Sequence, residues 1–346
     1  MWFRMHEEPE EPPRQTPPPG PPPPLFQASF TQPPSAEEEL GVQGFAVGQD
    51  SSEFQEAEEL ERPPAFTSPP TYGSNVHPNT GKPVGLPQAV AVRPDTVIDG
   101  ADLKGLTVRA TSQRGDDHRY LSEVRQDSFG LWTLKTPDGS EALLVCVADG
   151  VGSQPLSHRG SELACELLRD EVVARLTELL VSTQGDAGWE PLVGQVARRM
   201  TEEINRAGGD PKTWSTTLTG ALIDLTNRRV HSFRVGDSIT YLLRDGMFQA
   251  LWDGKDRGEI AHNSTNALPA HYSGVQTAEE VLGENEVLVV CTDGLADPMA
   301  NTDVQRTLLS HWTAATVPGL LEFAWQVAFR AKSFSDDRTA VCVWGR

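Results

Sequence analysis

The sequence predicts an α+β protein, a four-layer αββα sandwich in which two antiparallel sheets are flanked by pairs of helices. Three observations carry this expectation. Two runs, 142–148 and 287–291, are apolar without alternation, as strands buried on both faces are. Short strand-like segments between them are joined by hairpin-type turns and so form antiparallel groups. Helical periodicity appears in two sequence pairs, enough for one helical layer on each outer face.

The first hundred residues are different material. They hold 20 of the 27 prolines, including the run 17–24 (PPPGPPPP), and 15 acidic against 5 basic side chains. Such a segment cannot bury enough apolar surface to offset its ordering entropy. It predicts a disordered, Pro-rich acidic arm over 1–100, either a solvating tether or a docking segment for a proline-recognising or basic partner. One domain then occupies 101–346, its regular structure beginning at Leu106. After strand 142–148, an apolar stripe through Leu163, Leu167, Leu168, Val172, Leu176 and Leu179 predicts a helix. A second starts behind Pro191 and carries Val193, Val196, Met200 and Ile204 on one side. Strands follow at 217–223, 230–235, 239–243 and 247–248, with turns at 226–228 and 244–246. Strand 287–291, helices at about 302–312 and 318–331, and a last strand at 339–344 complete the pattern.

Composition excludes several functions. A net charge of −20 with no basic cluster is the wrong balance for nucleic acid, which needs concentrated Lys and Arg. No apolar stretch approaches the ~20 residues that span a bilayer, and the first residues lack the apolar core of a secretory signal. Cys146, Cys165, Cys291 and Cys342 sit singly in apolar runs, so they read as buried core residues in a reducing compartment. A cytoplasmic protein is expected.

Chemistry appears where the buried strands stop. The chain has six Asp-Gly pairs, and Asp-Gly is an ordinary turn dipeptide. Only Asp149 and Asp293 end an uninterrupted apolar strand. Asp237 follows 230–235, Asp336 and Asp337 precede the last strand, and Asp127 stands near the start of the domain. Carboxylates converging at strand ends repel unless a cation joins them, and hard oxygen ligands suit Mg²⁺ or Mn²⁺.

The ordered blocks Arg125-Gln-Asp-Ser128, Val147-Ala-Asp-Gly-Val-Gly152, Ser215-Thr-Thr-Leu-Thr-Gly220, Arg234-Val-Gly-Asp-Ser238, Cys291-Thr-Asp-Gly294 and Asp336-Asp-Arg-Thr339 resemble the metal-dependent serine/threonine protein phosphatases of the 2C type. The variant is similar to a bacterial branch with a short flap, here 254–274. The resemblance implies hydrolysis of phosphoserine and phosphothreonine by water bridged between two ions of Mn²⁺ or Mg²⁺, with a weaker third ion, in opposition to a cognate serine/threonine kinase. It implies that Asp149 bridges the two ions, that the Gly150 carbonyl ligates one, and that Asp293 and Asp336 complete the first. Asp127 would hold water, and Asp237 would share the third ion with Asp293.

Three positions depart from that pattern. Gln126 stands where the family has Glu, Ser122 where it has the phosphate-binding Arg, and Val151 where some members have His. Arg119 is the expected phosphate-binding substitute, with Arg125 as fallback, and His158 is a candidate proton donor beside the more ordinary reading of loop polarity. The cluster Ser215-Thr216-Thr217 is expected to satisfy buried backbone. Gln126 and Ser122 motivate a competing function, a catalytically weak pseudophosphatase that binds phosphoproteins; a third possibility is a scaffold working through the arm.

Overall fold

Uninterrupted apolar runs become the central strands of two stacked sheets, because each of their faces meets a different apolar layer. The computed structural model describes residues 67–73, 82, 84–87, 93–181, 188–252, 266–270, 272, 274–313, 316–331 and 333–346. The arm over 1–66 and most of the expected flap lie outside these residues. In chain order the strands and helices are β1 (Thr71–Tyr72), β2 (Thr96–Leu103), β3 (Leu106–Gln113), α1 (Asp116–Leu121), β4 (Ser128–Lys135), β5 (Glu141–Ala148), α2 (Ser157–Val181) and α3 (Trp189–Arg206). Then come β6 (Leu218–Asp224), β7 (Arg229–Val235), β8 (Ile239–Arg244), β9 (Met247–Ala250), β10 (Gln276–Val281) and β11 (Val287–Cys291). The series closes with α4 (Asp293–Ala296), α5 (Thr302–His311), α6 (Leu320–Val327), β12 (Arg330–Ala331) and β13 (Arg338–Gly345).

One sheet has the strand order β10-β7-β6-β5-β4 and the other β2-β3-β13-β11-β8-β9. Every neighbouring pair in both sheets is antiparallel. Alternate residues of β5 point opposite ways. Leu143, Val145 and Val147 meet Val108, Leu288, Val290 and Val343 between the sheets. Leu144 and Cys146 pack instead with Leu168, Leu176, Val193 and Met200 of α2 and α3. On the far side Val289, Cys291 and Cys342 bury against Leu308, Trp312 and Phe323. Three apolar interfaces separate four layers, as the sequence predicts, and all four cysteines are buried and free.

Several elements differ from expectation, among them β4 at an edge of its sheet, which the sequence reading does not include. In the two large sheets pairing begins at Thr96 rather than Leu106, upstream of the boundary at 101, and Thr71 and Tyr72 pair with Arg330 and Ala331 further upstream still. Strand β2 is an edge strand with one exposed face, so its Asp99-Gly100 reads as a turn although it pairs in register with β3. Strand β10 is likewise a polar edge, which leaves no apolar run to read. Helix α6 stops at Val327, four residues short of 331, because Arg330 and Ala331 pair with Thr71 and Tyr72. Among the described residues no helix is long and apolar enough to cross a membrane.

Candidate active site

Strand register sets where the carboxylates land. Ala148 pairs with Ser128, so Asp149 and Asp127 each lie one residue beyond the same end of the β4–β5 ladder. Cys291 pairs with both Ala340 and Ile239, which brings the end of β11 and the starts of β13 and β8 to one edge. Asp293, Asp336 and Asp237 lie on the short connections at that edge. The outcome is a group formed by Asp149, Asp237 and Asp293, in which one carboxylate oxygen from each lies within 4.8 Å of the others.

Local chemistry keeps the segments there. The Asp149 carbonyl accepts from Thr217 N and Thr216 Oγ1, both at 2.8 Å, and Asp149 N donates to Thr217 Oγ1 at 3.0 Å. The threonines therefore satisfy buried backbone, as expected. Glycine follows Asp149 and Asp293 because other backbone passes close by. A Cβ on Gly150 would sit 2.8 Å from the Gln126 carbonyl, and one on Gly294 only 1.8 Å from that of Asp337. This distinguishes these two Asp-Gly pairs from plain turns.

Burial, reinforced by Asp127, Asp293, Asp336 and Asp237, pushes the Asp149 carboxyl well above the usual carboxylate range. Burial, then the charges of Asp237 and Asp336, raises Asp293 to about 6. An all-oxygen donor set this crowded fits a hard divalent cation, which would replace the protons as the compensating charge.

Asp127 is buried; Thr292 Oγ1 donates to its Oδ2 at 2.9 Å, and its carboxyl is raised by burial and then by Asp337 and Asp336. Asp336 falls outside the tight trio. It faces Asp293 across a cavity of about 400 Å³ that Asp117, His118 and Asp297 also line. The guanidinium of Arg119 is forked on Asp95 at 3.0 and 2.7 Å and reaches Asp116 at 3.3 Å, so carboxylates occupy the donors expected to grip phosphate. Arg125 is buried and donates to Ser112 Oγ and the Asp127 carbonyl. The side-chain oxygen of Gln126 accepts from Ser157 Oγ at 3.0 Å. His158 lines a different cavity, beside Arg93 and Trp132.

Two residues escaped the sequence reading. Asp337 accepts Gly115 N at 2.7 Å, His118 Nδ1 at 2.8 Å, Asp127 N at 3.3 Å and the Gln126 amide. Its oxygens are committed to donors, so it organises the site rather than offering ligands. His118 sits between Asp337 and the cavity of Asp293 and Asp336. An imidazole on a short polar helix gives no periodic signal, and the doubled Asp336-Asp337 was the only hint.

A family model described as Protein phosphatase 2C matches residues 114–320. The chain belongs to the protein phosphatase 2C family. This bears out the resemblance and the expectation of a metal-dependent phosphoprotein phosphatase. Asp336 lies beyond the matched span, and its placement here is geometric. The serine/threonine phosphatase stp of Listeria monocytogenes serotype 4b (strain F2365) is 26% identical over 219 residues, covering 57% of this chain and 82% of that protein. Among solved structures, PppA of Pseudomonas aeruginosa has a TM-score of 0.48 at 19% identity, covering 70% of this chain and 99% of that one. The catalytic domain of the phosphatase PstP, solved with two manganese ions, has a TM-score of 0.47 at 22% identity, covering 69% and 97%. The pseudophosphatase alternative gains no specific support from these comparisons.

Proposed function

We propose that this phosphatase removes phosphate from phosphoserine and phosphothreonine at the edge where Asp149, Asp237 and Asp293 converge. The convergence of those three carboxylates from different connections, beside a cavity walled by Asp293 and Asp336, carries the reading. Asp149 would hold both of two ions and the Gly150 carbonyl one of them, Asp293 and Asp336 would complete the first, and Asp237 with Asp293 would hold a weaker third. Bound Mn²⁺ or Mg²⁺ supplies positive charge against the phosphoryl oxygens and acidifies the attacking water. Asp127, steadied by Thr292, orients that water by accepting a hydrogen bond. With Arg119 and Arg125 engaged elsewhere, neutralising the phosphoryl group falls to the ions.

The physiological counterpart is a serine/threonine kinase acting on the same phosphoproteins, in cytoplasmic signal transduction. Of the expected arm over 1–100, the stretch before the paired residues Thr71 and Tyr72 is available as a tether or docking segment, a reading its proline and acid content supports.

Phosphate release from a phosphothreonine peptide by the full chain, with Mn²⁺ and with chelator, tests the proposal. Turnover is expected only with Mn²⁺, and Asp149→Asn or Asp293→Asn should lower it by at least about 10²-fold, the loss of a transition-state charge partner. Wild-type turnover that persists in chelator rejects the metal mechanism.

A further inference from the structure

Beside the carboxylate cavity lies a second one of about 310 Å³, lined by Arg114, Arg119, Arg330 and Arg338. In a chain of net charge −20, with 29 Lys and Arg among 346 residues, four guanidinium groups against the two carboxylates of Asp116 and Asp336 on one cavity are a local excess of positive charge. The two cavities share a wall, because Phe334, Ser335 and Asp336 line both. Phe334 is 37% exposed on that ridge, an apolar surface against which a peptide crossing between the cavities can lie.

The arginines are not equivalent. Arg338 is buried and donates to the Gly294 and Val327 carbonyls, which makes it structural. Arg114 and Arg119 share Asp95. Arg330 is 43% exposed, and among the described residues the carboxylate paired with it is Asp116, at 3.4 Å from its Nε. Asp116 also holds Arg119 at 3.3 Å. The remaining N–H groups of the Arg330 fork are thus available for a second anion in the planar geometry that suits a carboxylate.

We infer that the arginine-lined cavity is a specificity subsite for a carboxylate side chain, and that this phosphatase prefers phosphoserine or phosphothreonine flanked by Asp or Glu. The inference rests on the proposed function, which puts the phosphoryl group beside Asp293 and Asp336. Arg330 is its principal determinant, and Phe334 forms the saddle between the two compartments. Such a contact at a half-exposed site favours acidic over neutral peptides by roughly tenfold in kcat/KM, shrinking as salt screens it.

The test uses the full chain with Mn²⁺ and phosphothreonine peptides carrying Glu, Ala or Lys on either side of the phosphoresidue. Wild-type protein should turn over one of the Glu peptides about tenfold better than its Ala counterpart, and Arg330→Glu should abolish that preference or turn it toward Lys. Equal turnover of all peptides by the wild type overturns the inference, and so does an Arg330→Glu protein that keeps the full preference for Glu. Hydrolysis of p-nitrophenyl phosphate by the wild type separates the two levels. If it occurs while flanking charge has no effect, only the subsite fails; without it or any peptide turnover, the phosphatase reading fails and takes the subsite with it.

Discussion

Asp337 is a buried anion surrounded by donors. Burial pushes its carboxyl up, yet the hydrogen bond and charge of His118, with the amides of Gly115 and Gln126, outweigh this and leave it below the ordinary range. Burial alone would lower His118, but Asp337 raises it to about 9. The pair therefore stabilises the fold below the imidazole's ordinary range, and the gain is lost as pH rises through about 9. Because the same carboxylate accepts the amide of Asp127, its charge positions a residue of the centre. Asp337→Asn would turn an NH₂ group toward backbone N–H donors. The expected outcome is a several-fold rise in the Mn²⁺ concentration giving half-maximal activity, with little change in peptide KM. Circular dichroism would confirm a folded variant, and an unchanged Mn²⁺ titration would show that Asp127 needs no such support. Single residues were the least legible part of the sequence. Asp149 and Asp293 could be read because an apolar strand stops at each, whereas Asp337 and His118 matter through partners more than two hundred residues apart in the chain.

Strands buried on both faces were readable, whereas of the edge strands only β9 was read, at 247–248, and β2, β4 and β10 were not. Strand β5 is buried from Ala142 to Ala148, so no polar residue interrupts it. Strands β2 and β10 satisfy half of their surface with water, and their Asp, Glu and Gly residues look like loop. The same contrast predicts energetics. Leu144→Ala leaves a cavity beneath α2 and α3, at a cost of about 2–5 kcal/mol. Met247→Ala at the exposed start of β9 should cost less than about 0.5 kcal/mol. Urea denaturation of both proteins checks this, and similar midpoints would mean that the helical layer does not close over β5 as described.

At the scale of the whole molecule, the cluster of Asp149, Asp237 and Asp293 is where a strongly acidic chain concentrates its own repulsion. Without divalent ions, Asp293 holds its proton up to about 6 in the fold but releases it near 3.8 when unfolded. Between those values the folded state binds more protons, so stability from this group is present at low pH and lost as pH rises through about 6. In chelator the melting temperature should therefore fall between pH 4 and 7, and Asp293→Asn should flatten the fall, gaining on the order of 2 kcal/mol over the wild type at pH 7. Added Mn²⁺ should reverse the order of the two proteins. A variant no more stable than wild type in chelator at pH 7 would show that these carboxylates do not strain the fold.

Strand β13 lies between β3 and β11, in the interior of its sheet, although it is the last of these to be synthesised. While a ribosome is still making the chain, β3 and β11 have no partner on their facing edges, and Asp336 has yet to arrive. A nascent polypeptide that stalls before this point presents two open ladders, each a template for pairing with another chain.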